Sequence, residues 1–217
     1  MRRIARFVSV LALASALLAP ARSGALTLQD LNAGASFTTT GGELTFEFAA
    51  GSIGLSGTLP VDLSQYTVVP TATGFIVSGP LAVIGPAAFG GVSLAYQVSA
   101  GAGLALNAAT LQTSGIAFGP GAIAIATTGM SNGANLGVLL TQAGGTGSNA
   151  NASFVATQLL STLAGLQLFG MTPGDVAGFG SVQHGFSWVA LPEPGVMLLL
   201  AAGLGGLALF ARRLRAA

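Results

Sequence analysis

The sequence has no cysteine, no lysine and a single histidine, His184, among its 217 residues. The lack of cysteine excludes a disulfide scaffold, and with only one histidine it also excludes a structural zinc site. Only 6% of the residues are charged, whereas 52% are hydrophobic and 33 are glycine. We therefore expect no metal ion and no cofactor.

Basic residues are missing from the whole central part of the chain. All seven arginines lie within the first 22 or the last six residues, and residues 26–191 contain none. Five acidic residues give this central part a net charge of −5: Asp30, Glu43, Glu47, Asp62 and Asp175. A domain without basic side chains cannot neutralise phosphate groups, so nucleic acid is excluded as a partner.

The N-terminus has the organisation of a secretory signal peptide over residues 1–25. A basic segment, Met1–Arg6, precedes the uninterrupted apolar run Phe7–Ala19, and small residues follow at Ser23-Gly24-Ala25. We expect export through the Sec machinery and cleavage by signal peptidase after Ala25. The alternative is a permanent N-terminal anchor, which the shortness of the apolar run disfavours.

The C-terminus, residues 191–217, has three parts. Pro192-Glu193-Pro194 is followed by 17 uncharged residues, 195–211, and then by a basic cluster of three arginines, Arg212, Arg213 and Arg215. As a helix the apolar part is roughly 25 Å long, which is the lower limit for crossing a bilayer. Arginine near the end of a span prefers the cytoplasm, so residues 26–190 are expected outside the inner membrane.

These three parts resemble the PEP-CTERM sorting signal of Gram-negative bacteria. The resemblance assigns Pro192, Glu193 and Pro194 to the motif and Arg212, Arg213 and Arg215 to the basic stop. It implies recognition and cleavage of the tail by exosortase, a membrane-embedded, cysteine transpeptidase-like enzyme. It also implies a cell-surface or extracellular protein, since members are commonly encoded beside exopolysaccharide machinery.

A physical property of the motif explains how such a signal can be read. Each proline fixes its own φ and holds the residue before it, Leu191 or Glu193, in extended conformation. The segment then presents one carboxylate between two rings just above the membrane. The alternative is that both prolines only begin a permanent transmembrane helix, with Glu193 favourable at its N-terminus.

Residues 26–190 have the pattern of an all-β domain, and we predict an antiparallel β-sandwich. In Glu43–Phe48 and Val92–Ser99 apolar and polar residues alternate, which places Leu44, Phe46 and Phe48 on one face. Further strands are predicted at 68–69, 74–77, 104–113, 122–127, 136–142, 166–169 and 186–189. Gly-Pro, Gly-Gly and Asn-Gly pairs separate them.

Two segments favour a helix and one a loop. Thr27–Asn32 is predicted to be a short turn that Thr27 caps and Gly34 ends. Val155, Leu159, Leu160, Leu163 and Leu166 follow helical spacing, with Ser153 as N-cap and Gly165 at the end. Residues 144–151 are small and polar, which indicates a loop.

Candidate chemistry in the central domain is sparse. His184 lacks the partners that a general base requires, and we interpret it as a structural residue near a strand edge. Glu43 and Glu47 could contribute to a Ca²⁺ site or a glycosidase-like pair, but a solvated outer face is favoured. Asp175 follows Thr172-Pro-Gly and is interpreted as a turn residue.

Two features bear on sugars. Asn151-Ala152-Ser153 matches a glycosylation acceptor, a triplet that arises easily by chance in such a composition. Tyr66, Tyr96 and Trp188 can stack on sugar rings, although an inward-facing Tyr96 belongs to a core.

The composition of the surface favours association. Natural sheets protect their edges with charges, lysine above all, and this domain has no lysine. We therefore expect self-association or embedding in exopolysaccharide. The favoured interpretation is a non-enzymatic exported surface or matrix protein. The alternatives are a periplasmic protein held by an uncut C-terminal helix and a secreted carbohydrate-active enzyme.

Overall fold

The computed structural model describes residues 25–142 and 148–192, together with residue 199 and residues 202–204 near the C-terminus. These residues form two antiparallel β-sheets, which confirms the predicted all-β fold. The elements are β1 (Leu26–Thr27), α1 (Leu28–Asn32), β2 (Ser36–Thr38), β3 (Leu44–Gly57), a 3₁₀ turn (Leu63–Gln65), β4 (Thr67–Pro70), β5 (Gly74–Ser78), β6 (Leu81–Ile84), β7 (Ala88–Ala100), β8 (Leu104–Phe118), β9 (Ala122–Ser131), β10 (Asn135–Gln142), β11 (Ser148–Thr157), β12 (Leu159–Gly170) and β13 (Val176–Ala190).

The strands divide between two sheets, which we call sheet I and sheet II. Sheet I has the order β1-β4-β5-β13-β8-β11, with β6 also paired to β13. Sheet II has the order β10-β9-β12-β7-β3-β2. The long central pair of sheet II, β12 with β7, keeps one register from Leu159 opposite Ser99 to Gly170 opposite Ala88. This pair forms a wide platform whose outer side faces solvent.

The short helix α1 begins at the predicted cap. The Thr27 hydroxyl accepts a hydrogen bond from the Asp30 N–H, and the Asp30 carboxylate accepts one from the Thr27 N–H. These reciprocal bonds form a capping box and satisfy N–H groups that the first helical turn leaves free. Gly34, just past the end, has φ of 90°, a left-handed conformation that glycine adopts without strain.

The alternating residues of β3 and β7 face the interior, as their pattern predicts. Leu44 and Phe46 on β3 and Val98 on β7 are fully buried, and Tyr96 is 4% exposed. The ring of Phe46 lies 5.0 Å from Phe37 and 5.2 Å from Phe75, which belongs to the opposite sheet. Contacts of this kind hold sheet II against sheet I, because aromatic rings bury large apolar areas.

The predicted helix over residues 155–166 is wrong, because these residues belong to strands β11 and β12. Val155, Leu159 and Leu163 are exposed, whereas Leu160 and Leu166 are buried. Side chains four residues apart lie on the same face of a strand, since successive side chains alternate. Val155 therefore faces outward on β11, and Leu159 and Leu163 face outward on β12. Leu160 and Leu166 face the core. The spacing that resembles one face of a helix therefore combines outward-facing and inward-facing residues.

Two further segments also differ from the sequence prediction. Within the segment 144–151, predicted as a loop, residues 148–151 begin strand β11, and residues 144–147 lie outside the described residues. Strand β6 was not predicted, although the Gly-Pro pairs on both sides of it were recognised as turns. Its four residues pair with the first four residues of β13, which no local pattern reveals.

The terminal signals lie mostly outside the described residues. This holds for the predicted signal peptide up to residue 24, and for the predicted transmembrane helix over 195–211 except residues 199 and 202–204, which are helical. Within the described parts of the chain, no helix has the length and apolar character that membrane crossing requires.

Candidate functional site

The predicted sorting motif begins where the sandwich ends. Strand β13 finishes at Ala190, and the N–H of Leu191 then donates a hydrogen bond to the Gly103 carbonyl oxygen at 2.7 Å. Pro192 follows as an exposed residue. The other predicted motif and stop residues, Glu193, Pro194, Arg212, Arg213 and Arg215, lie outside the described residues.

His184 lies inside the sandwich and not at a strand edge. Its strand, β13, runs between β5 and β8, and the residue is 1% exposed. The ring stacks on Phe75 with centroids 4.9 Å apart, and Nδ1 lies 3.3 Å from the Tyr96 hydroxyl and 3.4 Å from that of Thr128. Burial lowers the pKa of His184 to about 4, because the interior disfavours the charged ring.

Glu43 and Glu47 lie in different local structures. Glu43 lies in the turn before β3, where its Oε2 accepts a hydrogen bond from the Thr39 hydroxyl at 3.5 Å. Glu47 is exposed on the outer face of sheet II. Four extended residues separate the two backbones by roughly 13 Å, and one side chain belongs to a turn and the other to a strand.

Asp175 closes a turn, as its sequence context predicts. Its buried carboxylate accepts hydrogen bonds from the N–H groups of Met171 and Thr172, from the Thr172 hydroxyl and from the Gly121 N–H. Burial raises the pKa of Asp175, but the bonds from Thr172, Gly121 and Met171 outweigh it, and the pKa lies below its ordinary value. Among the described residues no cluster of His, Asp and Glu suits a metal ion.

The two tyrosines are not available for stacking on sugars. Tyr66 is fully buried, and its hydroxyl donates to the Pro60 carbonyl oxygen at 2.9 Å. Tyr96 is a core residue, as its position in the alternation predicts, and burial raises its pKa. Trp188 is half-buried and packs against the core.

The outer face of sheet II carries a depression beside strand β3. Strand β3 bulges between Phe48 and Ile53, so residues 49–52 have no partner on β7. The bulge stands beside Ala95 and encloses a depression of about 450 Å³, with Gln97 and Ser161 on the side away from it. The hydroxyl oxygen of Ser52, in the wall, is buried without a hydrogen-bond partner in the described chain.

The sheet register sets polar side chains in a row along this depression. Glu47 lies opposite Gln97, Gln97 opposite Ser161, and Ser161 opposite Ser131. At about 4.8 Å per strand, this row of four side chains spans roughly 14 Å across the sheet. Ser161 also lines a neighbouring depression of about 300 Å³ that opens at Gly129, beside Leu163. We call the two joined depressions and their row of side chains the outer groove.

A third depression, of about 250 Å³, lies on the same face further along β7. Its floor consists of glycines that face hydroxyl residues across the strands. The Ser93 hydroxyl donates to the Gly54 carbonyl oxygen and the Ser56 hydroxyl to that of Gly91, both at 3.5 Å. A Cβ atom at Gly91 would lie 2.5 Å from the Ser56 oxygen, so a side chain there would displace the Ser56 hydroxyl. Beside this floor the rings of Phe89 and Phe169 lie 5.3 Å apart.

The outer groove combines acceptors and donors without any basic group. It offers one carboxylate, one amide and several hydroxyls, a set that binds polar, uncharged surfaces by hydrogen bonding. Sequence analysis placed Glu47 on an outer face but did not identify Gln97, Ser161 or Ser52. The alternation shows that Gln97 faces outward, but only the register brings it beside Glu47 and Ser161.

No protein-family model and no curated protein matches the chain. Among solved structures, TmCBM61 in complex with β-1,4-galactotriose is similar at 15% identity and a TM-score of 0.38, over 64% of this chain and 88% of that one. The family 11 carbohydrate-binding module of Clostridium thermocellum in complex with a mixed-linked tetrasaccharide is similar at 10% identity and a TM-score of 0.22, over 80% and 99%.

The enzymatically active domain of tailspike protein 4 from bacteriophage CBA120 is also similar, at 12% identity and a TM-score of 0.27. That match covers 62% of this chain and 18% of the tailspike chain. The identities and TM-scores are all low, so no conclusion about the ligand or activity of this chain rests on these likenesses.

Proposed function

We propose that this protein is an exported, non-enzymatic surface or matrix protein whose C-terminal tail is a sorting signal for exosortase, and that it associates with exopolysaccharide outside the cell. The observation that carries the proposal is the position of the motif. The last backbone hydrogen bond described for the sandwich is that of Leu191, and the Pro-Glu-Pro segment begins at the next residue. A processing enzyme can therefore reach the motif without unfolding β13.

The interior and the surface support a non-enzymatic role. The single histidine is enclosed between Phe75, Tyr96 and Thr128, where substrate does not reach it. The Glu43 carboxylate accepts a hydrogen bond from Thr39 in a turn, whereas Glu47 lies exposed on the outer face of β3. Residues 26–191, with five acidic and no basic residues, suit an uncharged surrounding matrix.

Intact-mass measurement of the mature protein tests the sorting proposal. In a host that contains exosortase we expect a new C-terminus between Pro192 and Gly195, and in a host without it an intact chain through Arg215. Intact mass is needed because trypsin has no site between Arg22 and Arg212. An intact Arg215 in both hosts would establish the permanently anchored alternative instead.

A matched pair of substitutions tests whether trimming of the tail depends on the motif. Glu193→Gln removes the carboxylate between the two prolines, and we expect it to abolish trimming. Glu47→Gln makes the same change on the exposed face of sheet II and should leave trimming unchanged. Normal trimming of the Glu193 variant would contradict recognition of the motif.

A further inference from the structure

We propose that the outer groove of sheet II binds an uncharged polysaccharide chain, laid across strands β3, β7, β12 and β9. The inference rests on the proposed function, since it specifies which polymer the exported sandwich binds and where. It commits to a neutral glycan and to one of the two outer faces of the molecule.

The polar row of the outer groove is available for a ligand. Glu47, Gln97 and Ser161 are all exposed. In the described part of the chain, none of their side chains makes a hydrogen bond to another residue, whereas Ser131 accepts one from the Gly133 N–H. The carboxylate only accepts hydrogen bonds, while the amide and hydroxyl both donate and accept. Neighbouring hydroxyls of a sugar ring, which also donate and accept, match such a row.

Apolar side chains stand on both sides of Ser161. Leu159 and Leu163 lie two residues before and after it on β12, on the same face, and are 48% and 62% exposed. Sugar rings carry C–H faces beside their hydroxyls, so a chain whose hydroxyls bond to the polar row can contact these leucines. The bulge at residues 49–52 stands level with Ala95, on the same side of the row as Leu163, and limits the groove on that side.

The charge of the outer groove distinguishes neutral from acidic polysaccharides. Glu47 is the only charged residue in the outer groove, and no basic side chain lies anywhere in residues 26–191. A polymer of uronic acids would meet a carboxylate and a net charge of −5 without any compensating cation. The groove therefore favours neutral chains over acidic ones.

Affinity electrophoresis of the full chain, purified in mild detergent, tests the inference. The gels contain dextran, mannan or galactan as neutral probes, or polygalacturonate as the acidic probe, at physiological ionic strength. We expect retardation by at least one neutral polysaccharide and none by polygalacturonate. Failure of all three neutral probes, or preferential binding of polygalacturonate, would overturn the inference.

Two glutamine substitutions on opposite faces locate the binding surface. Gln97→Ala should weaken binding about tenfold, because it removes the amide at the centre of the row. Gln112→Ala makes the same change on an exposed position of β8 in sheet I and should alter affinity by less than about twofold. Equal effects of the two variants, or no effect of Gln97→Ala, would place binding elsewhere.

Sedimentation of both variants completes the experiment. We expect the Gln97 variant to sediment as the unsubstituted protein does. If Gln97→Ala changes the oligomeric state and leaves glycan binding intact, the groove is a contact between copies and the inference is wrong. Failure of glycan binding leaves the C-terminal mass measurement unaffected, so the two proposals can fail separately.

Discussion

The two halves of the interior are filled by different kinds of side chain. Between β2, β3 and β7 of sheet II and β5 and β13 of sheet I lies an aromatic half formed by Phe37, Phe46, Phe48, Phe75, Tyr96 and Phe186. Beneath β9 and β10, and facing β8, lie buried threonines among aliphatic side chains: Thr113, Thr128, Thr141, Ala124, Ala126, Met130 and Leu139. The first half is mainly aromatic, while the second contains buried hydroxyl groups that need partners.

This difference has consequences for the tolerance of substitutions. In the aromatic half, ring stacking needs no particular partner atom. The loss in free energy of unfolding on substitution therefore follows the side-chain volume that is removed. In the hydroxyl half, Thr113 donates to Thr141 at 3.2 Å and lies 3.0 Å from the Ser148 hydroxyl, so one change leaves other buried groups unpaired. His184 touches both halves, through Phe75 on one side and Thr128 on the other.

The largest expected effect tests the aromatic half. Phe46→Ala should lower the free energy of unfolding by roughly 3–5 kcal/mol, because it removes a fully buried ring at the centre of the cluster. Urea denaturation monitored by tryptophan fluorescence measures the change. Phe118→Ala, at a residue that is 71% exposed, is the matched control and should cost less than about 0.5 kcal/mol. Equal costs would refute the distinction between the two positions.

The next effect tests the boundary between the halves and depends on pH. The pKa of His184 is depressed to about 4 in the folded state from 6.5, so the unfolded chain binds the proton more tightly. Stability should therefore be fully present above pH 6.5 and fall by about 3 kcal/mol as the pH drops to 4. Urea midpoints measured across this range check the expectation.

A variant without the histidine is the control for that pH dependence. His184→Phe keeps a ring stacked on Phe75 and removes the titration, so its stability should be flat between pH 6.5 and 4. The pKa values of Asp62 and Asp175 are lowered from 3.8, so their contributions are lost mainly below pH 4. The same slope in the variant as in the unsubstituted protein would assign the acid sensitivity to another group.

The smallest expected effect tests the hydroxyl half. Thr113→Val should cost about 1–2 kcal/mol, because it leaves the buried hydroxyl of Thr141 without its donor. The double variant with Thr141→Val should cost less than the sum of the two single changes, since both members of the pair then become apolar. Additive costs in urea denaturation would show that the two hydroxyls are not coupled.

The sequence predicted the elements whose signals are local. The alternation in β3 and β7 identified Leu44, Phe46 and Tyr96 as inward-facing, because burial of one sheet face imposes a period of two. The cap at Thr27 was predicted from its residue type and position, whereas the reciprocal bond from the Thr27 N–H to the Asp30 carboxylate was not. The prediction failed in β11 and β12, where a four-residue spacing satisfies both the helical and the strand period.

The candidate site depended on contacts that no local pattern specifies. Glu47 and Gln97 are 50 residues apart, and Gln97 and Ser161 are 64 apart, yet they become neighbours through the pairing of β3, β7 and β12. The bulge that encloses the groove follows from a register shift between Phe48 and Ile53. The alternation showed which side chains point outward but not which of them meet.

The amino-acid sequence by itself determined the all-β class, the inward and outward faces of the regular strands and the lack of basic side chains over residues 26–191, because each of these follows from residue type and short spacing. Only the tertiary structure decided the strand order, the burial of His184 between two sheets and the polar row of the outer groove. Strand partners are selected by how whole faces pack together, and that selection joins residues far apart in the chain.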